Sequence, residues 1–396
     1  MLTLGRTINR YNLIVMKVFA VALFSVGLFL AAGSVGDPFT PWHRVSPAPI
    51  ISPRGGGWES AGTFNPAVVR RGAEFVMLYR AQNHAGTSVL GYATSRDGIH
   101  FVRRSRPVLW PQAPYEKNGG VEDPRLVEIS GDYYLTYTGY NQADAQLCLA
   151  KSPNLVQWTR LGVIMPADKG RWNVHWTKSG AILDRKIDGH YWMYFMGDAA
   201  GENGANQMGV AYSDDLIHWT EPLDHPILGH RPGMFDSRVV EPGPPPVLTD
   251  KGILLIYNGA DDKLAYRTGW ALFDKDDPIH VLARSDKPVF EAKQEWEKVG
   301  QVPSVVFVEG LVREPTRWLL YYGGADKYVG VVSTQLKYSE IKSWQPVALT
   351  QSRIALANGF LRTTEQPAHL YVEGTEKQSL VLRERGSVGG ARSSAH

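Results

Sequence analysis

Five acidic side chains lie within or beside segments that otherwise read as buried strands. They are Glu122 and Asp123 in GGVEDPRLV, Glu241 in RVVEPGPPPVLT, Glu309 in VVFVEGLV and Asp326 in YYGGADKYVG. A lone carboxylate in a strand as apolar as the one around Glu309 is costly to bury, so it needs a chemical purpose or a cationic partner such as Arg125. For any one of these acids, both explanations stay open.

Carboxylates gathered in one pocket could cleave a glycosidic bond. One carboxyl must be protonated to donate to the leaving oxygen, and in inverting enzymes a second carboxylate, about 6.5 to 9.5 Å away, activates water. Clustering raises the pKa of one acid and leaves another ionised, which divides the two tasks. A proline follows Asp123 and another follows Glu241, and each restricts the acid before it to an extended backbone.

Acids this far apart in sequence can meet only if the fold brings strand ends together. Strand-like segments rich in aromatic and branched residues recur about every 60 residues, and most end in an aromatic followed closely by glycine. The segments are FVMLYRAQ, YYLTYTGY, YWMYFMGD, ILLIYNGAD and WLLYYGGAD. A second repeated element, as in AKSPNLVQWTR, places a serine before a turn and an aromatic after it.

Repeats of this length are typical of propeller blades, which stack around an axis so that inner strand ends converge on a funnel. We therefore predict an all-β fold, a five-bladed β-propeller whose repeats run from about residue 60 to 335. A two-sheet sandwich is the alternative, but it does not require the elements to return in the same order. Trp158 and Trp219 are predicted to pack within blades, and Asp97, Asp214 and Asp215 to cap hairpin turns.

Composition excludes several classes of function. The chain has 396 residues, a formal charge of +3 without long blocks of like charge, and one cysteine, Cys148. Nucleic-acid binding is not expected, and neither an intramolecular disulfide nor a CxxC zinc site can form. No metal-ligand motif occurs, and His84, His175 and His190 are too scattered to indicate one, so no metal or cofactor is predicted.

The two ends are predicted to lie outside the catalytic domain. Basic residues precede the apolar run VFAVALFSVGLFLAAG, the order found in signal peptides. Residues 1–35 are therefore predicted to be a signal peptide or an uncleaved membrane anchor, and the protein to be secreted or periplasmic. The propeller is assigned to 36–375 and a flexible tail to 376–396. The oligomeric state is not predicted.

From about residue 60 to 335 the sequence resembles glycoside hydrolase family 130, five-bladed propeller enzymes that act on β-mannosides. The resemblance rests on FNPAV (64–68), LYRA (78–81), VEDPR (121–125), GPPPVLTDKGILLIYNG (243–259), ALFDKDDP (271–278) and VVFVEGLV followed by YYGGAD. It implies a mannose-containing oligosaccharide as the substrate.

The resemblance also implies roles for single residues. Asp123 matches the family's general acid, which is thought to donate its proton through a sugar hydroxyl. Other matches fall on positions that hold the sugar or line its pocket, namely Asn65, Arg80, Asp326, Arg125 and Lys178. Asn258 takes the place of a phosphate-binding histidine and is also predicted to contact substrate.

The family contains phosphorylases and hydrolases, and this sequence departs from the phosphorylase pattern. It lacks an arginine at YFMGD and a histidine at YNG, while Glu241 and Glu309 add negative charge. Phosphate needs charge-assisted donors. We therefore predict an inverting β-mannosidase, with β-1,2 linkages favoured, Asp123 as acid and Glu241 or Glu309 as base. The alternatives are a β-mannoside phosphorylase that uses inorganic phosphate and a non-catalytic glycan-binding propeller.

Overall fold

The computed structural model describes residues 36–166, 172–199 and 206–341. The predicted signal peptide or anchor, the tail and the part of the predicted propeller domain after residue 341 lie outside these ranges, so the domain boundaries remain predictions. Among the helices of the described residues, none combines the length and the apolar character needed to cross a membrane. Within these ranges the helical elements are short, a 3-10 turn at Pro114–Glu116 and a helical turn at Glu295–Lys298.

The strands are arranged as five blades around an axis, which confirms the predicted β-propeller. Blade 1 contains β2 (Gly62–Arg71), β3 (Glu74–Gln82), β4 (Ser88–Ser95) and β5 (Val102–Arg103). Blade 2 contains β6 (Gly120–Ile129), β7 (Asp132–Tyr140), β8 (Ala145–Ser152) and β9 (Thr159–Met165). Blade 3 contains β10 (Asn173–Ile187), β11 (His190–Ala199) and β12 (Asn206–Ser213).

Blade 4 has a divided inner strand, and blade 5 recruits a strand from the beginning of the propeller. Blade 4 contains β13 (Val239–Pro242), β14 (Val247–Thr249), β15 (Gly252–Ala260), β16 (Tyr266–Phe273) and β17 (Val281–Arg284). Blade 5 contains β18 (Val306–Arg313), β19 (Trp318–Gly324), β20 (Tyr328–Thr334) and β1 (His43–Arg44). Because β1 pairs antiparallel with β20, the ring is closed by non-covalent pairing and the last blade keeps no long free edge.

The apolar core is divided into clusters that lie between neighbouring blades. Leu78 of blade 1 and Leu135 of blade 2 belong to one cluster, while Met77 of blade 1 packs in another with Val331 of blade 5. The neighbouring residues Met77 and Leu78 join different clusters because successive residues of a strand point to opposite faces of its sheet. Trp158 and Trp219 are partly buried against such clusters, in agreement with their predicted packing role.

Buried ion pairs of one repeated design hold four of the blades. In each, a buried acid accepts a hydrogen bond from a tyrosine of the second strand and pairs with an arginine. The sets are Glu59 with Tyr79 and Arg103, Glu116 with Tyr137 and Arg160, Asp236 with Tyr257 and Arg284, and Glu297 with Tyr322 and Arg44. These four acids are fully partnered, so their burial is explained by structure rather than chemistry.

The innermost strands are irregular at the same point, close to the start of each. Pairing registers shift around Asn65 in β2, Asp123 in β6, Ser179 in β10 and Glu309 in β18, and in blade 4 residues 243–246 separate β13 from β14. A β-bulge re-aims a side chain, and bulges are common beside active sites. Three of these irregularities lie at Asn65, Asp123 and Glu309, which the sequence marks as chemical candidates.

Candidate active site

Asp123 lies at the bulge of β6 and is held by residues from blade 1. Its backbone is left-handed, with φ of 51°, so the extended conformation predicted from the following proline is wrong. Aspartate tolerates this region better than most residues, and the bulge imposes it. Its Oδ1 accepts hydrogen bonds from Nδ2 of Asn65 at 2.8 Å and from NH1 of Arg80 at 3.0 Å. Arg80 also donates to Oε1 of Glu122 at 2.6 Å. The guanidinium of Arg80 thus binds both of the adjacent carboxylates, Glu122 and Asp123.

The two carboxylates are pushed towards different protonation states. Burial works to raise the pKa of both, but around Asp123 the positive charges of Arg80, Arg125 and Lys178 outweigh it and lower its pKa. For Glu122, burial and the neighbouring charge of Asp123 raise the pKa. Without a sugar in place, Asp123 is therefore ionised, which is the opposite of what a general acid requires at the moment of proton donation.

Arg125 lies under this pair and connects three of the acids. Its NH1 is 2.8 Å from Oε1 of Glu309, and its NH2 is 4.0 Å from Oε1 of Glu241. The guanidinium also donates to backbone carbonyls of Asp123, Pro242 and Gly243. Arg125 is 1% exposed, so most of its donors are already used by the protein itself.

Glu241 accepts a short hydrogen bond from the hydroxyl of Ser179, a residue that sequence analysis did not select. Ser179 has φ of 58° and lies at the bulge of β10. The sequence does contain a pattern that marks Ser179. At corresponding positions of the five repeats, a polar residue is followed by proline or glycine; these residues are Asn65, Asp123, Ser179, Glu241 and Glu309. Aligning the five inner strands on that pattern would have found it.

Glu309 lies deeper than Glu241. It is 1% exposed, and in the part of the chain that the structure describes neither of its oxygens has a hydrogen-bond donor in good geometry, although the charge of Arg125 is close. Burial raises its pKa well above the ordinary value. It also lines a cavity of about 340 Å³ together with the later halves of the inner strands, on the side away from Asp123. Burial likewise raises the pKa of Glu241.

Lys178 and Asp326 complete the charged group. The ammonium of Lys178 lies over the ring of Trp176, 5.1 Å from its centroid. Its charge opposes the effect of burial on the pKa values of Asp123, Glu122 and Glu241, of which only that of Asp123 is lowered overall. Asp326 follows β19, and burial raises its pKa to about 7 against the opposing effect of Arg80. Near neutral pH Asp326 is therefore much more readily protonated than an ordinary aspartate.

Asn258 is the predicted substrate contact that the structure places elsewhere. Its Nδ2 donates to the carbonyl of Val308 at 3.0 Å, its Oδ1 accepts from the Val308 amide at 2.9 Å, and its side chain is completely buried. Both polar ends are occupied by the strand that carries Glu309, so Asn258 positions that strand and does not face a sugar. The sequence pattern could not reveal this because the partner lies 50 residues away.

The structure thus gathers eight of the nine predicted site residues into one network of hydrogen bonds and charges. Within the described residues, no group of three or more His, Cys, Asp or Glu side chains is arranged to hold a metal ion. The site combines carboxylates with the hydroxyl of Ser179 and three cations.

Comparison with known proteins assigns the family. The model of glycoside hydrolase family 130, described as beta-1,4-mannooligosaccharide phosphorylase, matches residues 53–341. The chain belongs to glycoside hydrolase family 130. The resemblance inferred from the sequence is confirmed, and the enzymes of this family act on β-mannosides.

Two curated relatives come from Thermoanaerobacter sp. (strain X514). A 1,2-beta-oligomannan phosphorylase is 38% identical, with 74% of this chain and 97% of the relative covered. A beta-1,2-mannobiose phosphorylase is 35% identical, with 73% and 95% covered. These relatives favour phosphorolysis over hydrolysis, so they support the alternative function predicted from the sequence better than the main one.

A solved structure of the family shares the fold, with a TM-score of 0.68, 36% identity and coverage of 74% of this chain and 94% of that one. The description of that structure states that the GH130 family of mannoside phosphorylases contains glycoside hydrolases that target beta-1,2 mannosidic linkages in Candida mannan. Membership of the family is therefore compatible with attack on the glycosidic bond by water or by phosphate.

Proposed function

We propose that this protein cleaves β-1,2-mannosidic bonds of manno-oligosaccharides with inversion and that the attacking group is water. Family membership supports the β-mannosidic bond, and the names of the relatives support the 1,2 linkage. The choice of water over phosphate rests on the charges of this chain's own site.

The observation that carries the proposal is the pairing of Arg125 with Glu241 and Glu309. Five acids and three cations surround the site. The donors of Arg125 bind backbone carbonyls, and its charge is paired with Glu309, with NH1 2.8 Å from Oε1. Arg80 is committed to Glu122 and Asp123. Since inorganic phosphate needs several charge-assisted donors, a site whose arginines already bind carboxylates favours a neutral nucleophile.

We assign Glu241 as the base that activates water. It is near enough to Asp123 for the charge of Asp123 to raise its pKa, and a raised pKa makes a carboxylate a better proton acceptor. Ser179 fixes its orientation through the short hydrogen bond. Glu309, fully buried and paired with Arg125, is then a positioning residue that holds the guanidinium between the two strands.

Asp123 is assigned as the acid, and it must receive a proton when the sugar binds. A bound sugar excludes water from the pocket, which favours the neutral form of a carboxyl. Neighbouring Asp326, whose pKa is raised to about 7, can supply a proton that is redistributed within the cluster. The ionised Asp123 of the unliganded site thus becomes a donor only in the complex.

Phosphorolysis is the second candidate, and the curated relatives favour it. It would place the phosphate near Lys178, which has no carboxylate within ion-pair distance among the described residues, and it would require Glu241 and Glu309 to be protonated. Their raised pKa values are compatible with that requirement.

Product analysis decides between the two candidates. The purified protein is incubated with β-1,2-mannobiose in phosphate-free buffer and with increasing inorganic phosphate, and the products are followed by NMR from the first turnover. Release of α-mannose at a rate independent of phosphate is expected. Formation of mannose 1-phosphate, with a rate that depends on phosphate, would establish phosphorolysis instead. Binding without any product would leave only the glycan-binding alternative.

We also propose that the protein works outside the cytoplasm, as the N-terminal sequence predicts. Separation of cell fractions, followed by N-terminal sequencing of the recovered protein, tests both export and cleavage near residue 33. Recovery of the uncleaved chain from the cytoplasm contradicts the proposal.

A further inference from the structure

A groove of about 720 Å³ runs between the outer strands of blades 1 and 2, and none of the active-site residues lines it. Two indoles, three arginines and two glutamines contribute to its walls, namely Trp110, Trp158, Arg104, Arg106, Arg160, Gln112 and Gln157. Its volume is in the range of small-molecule binding pockets, roughly 300 to 1,000 Å³. The groove is thus large enough for a few sugar units.

The loop that carries Trp110 is held rigidly although its indole is exposed. Arg160 donates to the carbonyl of Trp110 and to Oε1 of Gln112, and it also pairs with the buried Glu116. Glu116 in turn accepts from the backbone amides of Gln112 and Ala113 at 2.8 and 3.1 Å. The indole itself is 47% exposed. Polar contacts therefore hold the backbone of the loop that presents this solvent-facing ring.

The fold does not require an aromatic residue at this position. The bridge between Leu109 and Leu90 recurs as Leu228 with Met208 and as Phe290 with Thr268 in other blades. The residue after each bridge is Trp110 in blade 1, but Gly229 and Glu291 in the corresponding places. The same backbone is thus built with glycine or glutamate, so the exposed indole is a local feature of this groove.

We propose that the groove is a second mannoside-binding site, which holds a segment of the oligosaccharide substrate away from the bond that is cleaved. Indole faces supply flat apolar area for the C–H faces of pyranose rings, and the loop that carries Trp110 does not have to be ordered when the sugar binds. Arg104 and Arg106 are exposed, and within the described residues they have no acidic partner. Their guanidinium forks can donate to neighbouring hydroxyls.

The identity of the ligand as a mannoside rests on the proposed function, whereas the site rests on the groove itself. A neutral saccharide is favoured over a purely anionic ligand because the walls combine two aromatic faces with amide groups of Gln112 and Gln157. A ligand recognised by charge alone would not need the indoles. Recognition of an anion is therefore one of the outcomes that the experiment separates.

The test uses the full chain with D123N to stop turnover and measures binding to manno-oligosaccharides of increasing length by calorimetry. The parent D123N protein is expected to gain affinity with chain length. W110A in the same background should lose most of that gain, about two- to tenfold, which is the size of an aromatic contact. V102A, which removes a 76% exposed side chain outside the groove, should bind as the parent does.

Further measurements distinguish failure of the second binding site from failure of the proposed function. In the active protein, W110A should leave kcat/KM for the disaccharide unchanged. If W110A binds every oligosaccharide as tightly as the parent, or if binding disappears in high salt as for an anion, the second site is refuted. If the wild-type protein cleaves no mannoside but the Trp110-dependent binding is present, the proposed function fails and the groove stands.

Discussion

The guanidinium of Arg125 lies 2.8 Å from a carboxylate oxygen of Glu309, and both side chains are almost completely buried. The pair joins the inner strands of blades 2 and 5 across the axis. It also takes up a positive charge that a phosphate-binding site would leave available. This single contact therefore affects both the stability of the propeller and the choice of nucleophile.

Breaking the pair should destabilise the protein more than it changes the chemistry. In E309Q the buried charge of Arg125 loses its partner, and removal of one member of a buried pair costs roughly 3 to 5 kcal/mol. We expect the free energy of unfolding, measured by denaturant titration, to fall by that order, while the folded enzyme keeps measurable turnover. Unchanged stability together with abolished turnover would instead assign Glu309 a direct part in catalysis.

E241Q should have the opposite effect. The glutamine keeps an acceptor for Ser179 but cannot take a proton from water, so kcat should fall by about 10²- to 10⁴-fold with little change in melting temperature. In the wild type, kcat should rise with pH through a pKa above that of an ordinary glutamate, because burial raises the pKa of Glu241. Near-wild-type turnover by E241Q would remove Glu241 from the mechanism.

D123N should abolish cleavage while substrate still binds. Asparagine can retain the contacts of Asp123 with Asn65 and Arg80 but has no proton to give, and loss of a general acid costs about 10²- to 10⁴-fold in rate. D97N is the matched control, because the contacts of Asp97 are all with Ser95, Ile99 and His100 of one exposed turn, away from the site. Equal activities of D123N and D97N would contradict the assignment.

Asp326 should make stability depend on pH in a defined direction. Its pKa is raised to about 7 in the folded protein, above the ordinary value of 3.8, so the folded state holds a proton that the unfolded chain has lost. Stability from this group therefore falls as the pH rises from about 4 to 7. D326N removes this term, so its melting temperature should rise relative to wild type between pH 5 and pH 8. A constant difference across that range would show that the pKa is not raised.

The repeated ion pairs of the blades should contribute to stability alone. Asp236 is paired with Arg231 and Arg284 and accepts a hydrogen bond from Tyr257. D236N should lower the free energy of unfolding by roughly 3 to 5 kcal/mol and leave the turnover of folded enzyme unchanged. Asp286, also near Arg231 but 86% exposed, provides the control, and D286N should change stability little.

Much of the fold could be read from the sequence because blade strands follow local rules. Alternating apolar residues, aromatic-glycine endings and serine turns recur in one order, and they predicted five blades without any knowledge of contacts. The short pairing of β1 with β20 was less visible, since two residues leave little periodicity to read.

The candidate site could be predicted only in part. The sequence by itself determined which acids are present and that Asp123 and Glu241 precede proline. Only the tertiary structure decided that Asn258 faces Val308, that Ser179 reaches Glu241, and that three cations keep Asp123 ionised before substrate binds. The reason is physical: periodicity is a property of neighbouring residues, whereas pKa values and hydrogen-bond partners depend on charges and atoms brought together from blades that are 50 to 62 residues apart in the chain.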